Sequence, residues 1–193
     1  MKLRRLALLI LVSQFFDASL IQPSRAQPSS EMQVYIEITD WFGRLIESVN
    51  QLASLVDKHR LVSYATNLGN SFEAMIKNKR EIALLLKQTP VNNSEVEFVA
   101  SRLELNVKLA KQRLSAVSLQ LKLQDEIKGS QLANDLNTVL FERKGWMTEL
   151  RPRIGGGSTA GFVELAEKAE VSAKALDQAN TQLTKFITAI RRS

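Results

Sequence analysis

The sequence predicts an all-α fold, an elongated antiparallel helical bundle built on a long helical hairpin plus a C-terminal helix. After residue 30, apolar residues recur every three or four positions, which is the spacing of helices that bury one face. No run alternates apolar and polar residues between turn signals, as strands would. Most Gly and Pro residues fall between the periodic segments. The pattern predicts five helices, over 31–67, 71–88, 95–128, 131–150 and 160–191.

The first 26 residues have the features of a secretory signal peptide. "MKLRR" is a basic start, "LALLILV" is an apolar core, and Ser24 and Ala26 stand at the −3 and −1 positions of a cleavage site. The apolar run is shorter than the about 20 residues that span a membrane, although an uncleaved anchor is the alternative. Cleavage leaves a short tail at 27–30 and one domain at 31–193. We expect export to a bacterial periplasm, or secretion otherwise, with no membrane span in the mature chain.

Composition argues against several classes of function. The 193-residue chain has a net charge of +6, but residues 1–26 hold four basic residues and one acidic residue, which leaves +3 after cleavage. Such a small excess gives no indication of a nucleic-acid partner. There is no cysteine, so thiol nucleophiles and thiolate metal sites are excluded. His59 is the only histidine, and we expect it at the edge of the core.

Capping signals predict where the helices begin and end. Asn70 with Glu73 three residues later suits the start of the second helix, and Ser94 with Glu97 forms a capping box for the third. Pro152 is expected to end the fourth helix.

Two architectures are compatible with the breaks at Gly69 and Gly129. If these glycines are kinks, 31–88 and 95–150 form two rods in a hairpin about "PVNN", in which residue i faces about residue 184 − i. If they are true turns, the result is a compact four- or five-helix bundle.

The third predicted helix has apolar residues on two sides. One stripe includes Leu103, Val107 and Leu114, and the opposite one runs from residue 105 to residue 127. A helix of this kind is usually central and packed between neighbours, whereas the alternative is an uncovered stripe that binds a partner. The candidate partner face, for another protein or for self-association, is Leu105, Leu109, Leu119 and Leu123.

The stretch "RPRIGGGSTAGF" is the one candidate for a small-molecule site. It lacks the lysine of a phosphate-binding P-loop, and no strand precedes it. The helix that follows has no acidic residue before Glu164, so its N-terminus could bind a small anion. The alternative is a flexible connector. The candidate anion-binding residues are Arg151, Arg153, Gly156, Ser158 and Thr159.

No arrangement of residues in the sequence predicts a catalytic activity. The acidic residues are scattered among Lys and Arg, as on a solvated helix face, and no nucleophile stands in a recognisable motif. No catalytic residue, cofactor or metal ligand is therefore predicted. We expect an exported, non-enzymatic helical protein with a protein-binding, scaffolding or adaptor role in the cell envelope. The alternative is a periplasmic helical-bundle receptor for a small anionic ligand.

Overall fold

The computed structural model describes residues 30–121, 124–141, 145–156 and 160–193, and this part of the chain contains helices and turns but no strand. The predicted all-α helical bundle is confirmed, whereas the signal-peptide prediction lies outside the described residues. The helices are α1 (Ser30–Glu47), α2 (Val49–Ala53), α3 (Lys58–Leu86), α4 (Asn93–Ser118), α5 (Gln124–Phe141), α6 (Trp146–Gly155) and α7 (Phe162–Arg192).

Five helices pack in a closed ring around one continuous core. α3 packs between α7 and α4, α4 packs against α5, α5 against α1, and α1 against α7. α6 contacts α4, α5 and α7, and the short α2 contacts α7. Burying one large apolar side chain contributes about 1.5–3 kcal/mol. The largest aromatic side chains of the core are fully buried, namely Tyr35, Trp41, Phe42, Phe72 and Phe186.

The predicted hairpin about "PVNN" is formed by α3 and α4. Arg102 donates a hydrogen bond to Asn78 Oδ1 at 3.0 Å, and Arg113 donates one to Ser71 Oγ at 2.6 Å. The Arg113–Ser71 pair agrees with the predicted register, in which residue i faces about residue 184 − i, whereas Asn78 lies four residues, about one helical turn, from the position predicted to face Arg102. α4 begins two residues earlier than predicted, because Asn92 rather than Ser94 is the cap, and its Oδ1 accepts a hydrogen bond from the backbone N–H at position 95.

The two long rods are not formed, and the compact alternative describes the fold. Glu31 contacts Lys79, so the chain folds back between α1 and α3. It does so before Asp57, whose carboxylate caps α3. Gly69 lies inside α3 and Gly129 lies inside α5. The chain therefore does not turn at either glycine, and neither glycine is a kink that joins two helices into a long rod. A helical glycine costs only about 1 kcal/mol relative to alanine, which packing against other helices outweighs.

Three of the predicted helix ends also differ from the structure. Asn70 lies in the middle of α3, so it caps no helix. The predicted helix over 131–150 is replaced by the C-terminal part of α5 and the start of α6. Pro152 lies inside α6, which starts after Gly145 and continues to Gly155. The predicted C-terminal helix agrees with α7 to within two residues at its start.

The position of α7 decides which face of α4 is covered. α7 runs antiparallel to α3, with Arg80 paired to Asp177 at 3.0 Å and Lys87 paired to Glu170 at 2.7 Å. It therefore lies on the side of α3 that faces away from α4. The interpretation of the third predicted helix as central is wrong, because α7 packs on α3 and α1 and leaves the outer face of α4 uncovered.

Candidate functional site

The outer face of α4 has a row of exposed apolar side chains. Phe98, Leu105 and Leu119 are 62%, 59% and 64% exposed, and Leu109 is half-buried. We call this row the α4 outer stripe, with Ala116 as its fifth, half-buried member. It contains three of the four residues predicted for a partner face, and the fourth, Leu123, lies outside the described residues.

The α4 outer stripe has the spacing of a coiled-coil seam. Phe98, Leu105 and Leu119 differ by multiples of seven, and so do Leu109 and Ala116, with steps of three and four between the two sets. The core-facing side chains of α4, such as Leu103 and Val107, lie on the opposite side of the same helix. Phe98 was absent from the sequence prediction, although its seven-residue offset from Leu105 indicated it.

Basic side chains lie within the stripe, at position 102, and on both sides of it. Arg102 lies over the ring of Phe98, with 5.7 Å between the guanidinium carbon and the ring centroid. Arg113 borders the side nearer α3, where it donates hydrogen bonds to α3. Lys108 borders the other side and pairs with Glu104 at 3.0 Å. Each flank of the stripe therefore has one basic side chain, and on one flank that side chain is paired with Glu104.

The arginines predicted to bind an anion already have partners in the protein. Arg151 pairs with Glu104 at 2.5 Å. Arg153 lies 3.9 Å from a carboxylate oxygen of Glu149 and donates a hydrogen bond to the carbonyl oxygen of Ala160 at 3.1 Å. These contacts reduce the positive charge available to a ligand.

The remaining anion candidates, Gly156, Ser158 and Thr159, precede α7 in the sequence. Gly156 caps the end of α6 through its N–H, while Ser158 and Thr159 lie outside the described residues. Gly161 precedes α7 with φ of 80°, and no side chain caps the helix. A Cβ at Gly161 would lie 1.9 Å from Arg153 Nη1. The start of α7 is thus closely covered by Arg153.

A buried polar cluster joins α1, α3 and α7. The ammonium of Lys79, which is fully buried, donates hydrogen bonds to the carboxylate of Glu31 and to Ser172 Oγ, the second at 2.5 Å. Ser172 Oγ and the Tyr35 hydroxyl donate to the same oxygen, Glu31 Oε1, at 2.6 and 2.9 Å. The ring of Trp146 lies 5.4 Å from Lys79 Nζ. Buried charges need such partners, since each loses several kcal/mol of hydration.

The environment of the cluster changes the pKa of two of its members, Lys79 and Tyr35. Burial lowers the pKa of Lys79, and the charge of Glu31 offsets part of that effect. Burial, followed by the Glu31 charge, raises the pKa of Tyr35 well above its usual value. Lys79 donates a hydrogen bond to Ser172 Oγ, and the serine hydroxyl donates one to Glu31, so the lysine is not placed as a base for that serine. These hydrogen bonds therefore have a structural role, since they connect α1, α3 and α7.

A cavity of about 390 Å³ opens beside the cluster. Lys168 is one of the lining residues, and its ammonium forms ion pairs with Glu149 at 3.0 Å and with Glu164 at 2.9 Å. Trp146 is 4% exposed, and its indole N–H has no hydrogen-bond acceptor among the described residues. The lining also combines apolar and acidic side chains, namely Glu31, Met32, Trp146, Glu149, Glu164, Glu167, Lys168, Val171 and Ser172.

Sequence reasoning missed the buried cluster. It placed Glu31 on a solvated face, which is wrong, since Glu31 is 2% exposed. Lys79 had a detectable signal, because it stands in phase with the buried residues Phe72, Met75 and Ile82 of the same helix. His59 is exposed in the first turn of α3 rather than at the edge of the core.

Within the described part of the chain, no group of three His, Asp or Glu residues is placed to hold a metal ion. None of the helices in that part is long and apolar enough to cross a membrane. Comparison of the chain with protein-family models, with curated proteins and with solved structures gives no match.

Proposed function

We propose that this protein is an exported, non-enzymatic helical protein that binds another protein of the cell envelope, as a scaffold or adaptor, through the α4 outer stripe. The observation that supports this most is the exposure of Phe98, Leu105 and Leu119 in one row. Because each of these side chains is already partly buried, covering its exposed part would contribute about 1–2 kcal/mol. Exposed apolar side chains grouped on one face mark interaction sites on soluble proteins. Arg102 and Gln112 stand between them at two of the heptad positions.

The spacing of the stripe favours an α-helix as the binding partner. In a heptad, Phe98, Leu105 and Leu119 occupy d positions, and Leu109 and Ala116 occupy a positions. Side chains spaced in this way insert between the side chains of a second helix that lies nearly parallel to the first.

The charges beside the stripe favour a different protein over a second copy of this chain. Lys108 occupies a g position and Arg113 an e position of the same heptads. In a parallel pair of copies Lys108 would approach Arg113 of the other copy. That arrangement brings like charges together, which is unfavourable. The fitting partner is a helix with Glu or Asp at its flanking positions.

The proposed location rests on the sequence of residues 1–26, which has the basic start, apolar core and cleavage site of an exported chain.

Site-specific photo-crosslinking in cells tests the proposed surface. A photoreactive residue at position 112, a d position within the stripe, should crosslink to one protein. Leu105→Glu and Leu119→Glu should abolish that crosslink, because each places a charge in an apolar interface. The control is Leu55→Glu, since Leu55 is similarly exposed (53%) but lies outside α4, and it should leave the crosslink intact.

Two results would contradict the proposal. The first is a crosslink that survives both substitutions in α4. The second is a stable dimer of the purified protein that Leu119→Glu dissociates, which would show that a second copy covers the stripe.

A further inference from the structure

We propose that one end of the bundle, where α3 begins and α1 and α7 end, docks onto a membrane surface that contains anionic lipid headgroups. The inference is independent of the α4 outer stripe, because no residue of α4 belongs to this surface. It rests on the helix ends that meet there, on an excess of basic side chains and on an exposed leucine beside them.

Three helix ends lie at nearly the same level of the bundle. The rings of Phe42 and Phe186 lie 5.7 Å apart, and from there α1 ends after five more residues and α7 after six. A Cβ at Gly69 would lie 3.8 Å from Leu183. From that contact α3 begins eleven residues away and α7 ends nine residues away. At about 1.5 Å per residue, the three ends lie within about 3 Å of one level.

The side chains at this end are mainly basic. Residues 44–60 and 185–193 contain six basic and two acidic side chains, a net charge of +4, whereas residues 27–193 together have only +3. The acidic start of α5 packs against α4 and α1, so the positive charge lies on the side of α3 and α7. The six basic residues are Arg44, Lys58, Arg60, Lys185, Arg191 and Arg192.

Helix stability does not account for all of this charge. Basic residues in the last turn of α7 suit the negative end of a helix, but Lys58 stands in the first turn of α3, where a positive charge is unfavourable. The carboxylate of Asp57 is paired with Arg60. Neither Lys58 nor any of the three basic residues from α7 forms an ion pair with a residue that the structure describes. These cations are therefore available to an anion outside the protein.

An exposed apolar side chain stands beside the basic residues. Leu55 is 53% exposed in the turn between α2 and α3, three residues before Lys58. α2 packs against α7, so this turn lies on the side of the basic residues of α7. Basic residues attract an anionic membrane surface, and an adjacent apolar side chain can enter the boundary between headgroups and acyl chains. A soluble polyanion would use the charge but not the leucine, so a membrane fits the surface better.

Cosedimentation with lipid vesicles tests the proposal. The full-length chain is expressed in cells, and the form that the cells yield is purified and mixed with vesicles. One set of vesicles contains phosphatidylglycerol and phosphatidylcholine, and the other contains phosphatidylcholine alone. Every variant has the same N-terminal residues, so differences between variants report on the end of the bundle.

We expect tighter binding to the vesicles that contain phosphatidylglycerol, and this preference should shrink as the salt concentration rises. Replacing both Arg191 and Arg192 by Gln should weaken the binding by about 30-fold, since each basic residue near an anionic surface contributes about fivefold. Leu55→Ser should weaken it by about fivefold, because the leucine no longer enters the boundary region.

Matched controls change the same kinds of residue near the other end of α3 and α7. Lys77→Gln combined with Lys174→Gln removes two exposed positive charges, and Leu84→Ser removes a leucine that is 64% exposed. Lys77 lies about 28 Å along α3 from Lys58, which is well beyond the screening distance of charges at physiological salt. Both controls should leave the binding unchanged.

Equal binding to the two sets of vesicles, or equal weakening by the two double variants, would overturn the proposal. Weaker binding of the arginine variant with no effect of Leu55→Ser would also contradict it, because the end would then bind polyanions through charge alone.

Discussion

Lys79 of α3 and Glu31 of α1 form an ion pair inside the protein, although they are 48 positions apart in the chain. Both side chains are almost inaccessible to solvent. Ser172 of α7 bonds to both, so three helices meet at one oxygen of Glu31. The pair and Ser172 therefore link α1 to both α3 and α7 through directional hydrogen bonds.

Removing the lysine alone should strongly destabilise the fold. Lys79→Met should lower the free energy of unfolding by about 3–5 kcal/mol, because it leaves the carboxylate of Glu31 buried without a cation. Urea unfolding followed by circular dichroism measures the change.

The double variant Lys79→Met, Glu31→Gln is the control for this prediction. It removes both charges, so it should be more stable than Lys79→Met alone. If the single and double variants unfold at the same urea concentration, Glu31 does not depend on Lys79 for its burial.

Two glycines inside helices should respond to alanine in opposite directions. A Cβ at Gly129 of α5 would lie 2.6 Å from the ring of Trp41 and 2.2 Å from Ser118 Oγ, whereas one at Gly43 of α1 would meet nothing within 4 Å. Gly43→Ala should raise the free energy of unfolding by up to about 1 kcal/mol. Gly129→Ala should lower it by about 1–2 kcal/mol, because the overpacking cost exceeds the helical gain.

The melting temperatures of Gly43→Ala, Gly129→Ala and the unchanged protein, measured by thermal unfolding, test both predictions. An increase in melting temperature for Gly129→Ala would mean that the Trp41 ring has room to move.

The helical class and the α3–α4 hairpin could be predicted because both depend on local signals. Apolar spacing defined the helices, and "PVNN" with a cap beside it defined the turn. The reversal before Asp57 could not be predicted from glycine positions, because it follows from the packing of α1 against α5 and α7. Gly69 and Gly129 therefore looked like breaks although they lie within helices.

The α4 outer stripe and the cavity beside the buried cluster differ in how far the sequence indicates them. The stripe on α4 is a periodic pattern within one helix, so Leu105 and Leu119 could be named in advance. Whether α7 covers them depends on which neighbours α7 packs against, which periodicity does not determine. The cavity combines residues from α1, α6 and α7 that are up to 141 positions apart, as Glu31 and Ser172 are. No local pattern links such residues.

The same negative charge should affect stability very differently at two leucines of α4. Leu103 is fully buried and Leu105, two residues later, is 59% exposed. Leu105→Glu should change the free energy of unfolding by less than about 0.5 kcal/mol, whereas Leu103→Glu should cost more than about 4 kcal/mol because it buries an unpaired charge. Circular dichroism melts of both variants measure the difference. Loss of folded structure in Leu105→Glu would show that the stripe belongs to the core.

Stability should fall in acid because several carboxylates are paired with basic residues. The hydrogen bonds from Lys108 and Arg151 hold the pKa of Glu104 below its usual value, and the hydrogen bond from Lys128 does the same for the pKa of Glu37. A carboxyl whose pKa is lower in the folded chain than in the unfolded chain stabilises the fold at neutral pH. That contribution is lost as the pH falls from about 4.5 through the lowered pKa values.

Urea unfolding at pH 6 and at pH 3 measures this loss, and Glu104→Gln identifies one of its sources. The variant should lose less stability between the two pH values than the unchanged protein, by up to about 1 kcal/mol, because the pair is partly exposed to solvent. Glu97→Gln, on the exposed surface of the same helix, is the control for removing a charge as such. If Glu104→Gln and Glu97→Gln show the same dependence on pH as the unchanged protein, the contacts of Arg151 and Lys108 with Glu104 do not stabilise the fold.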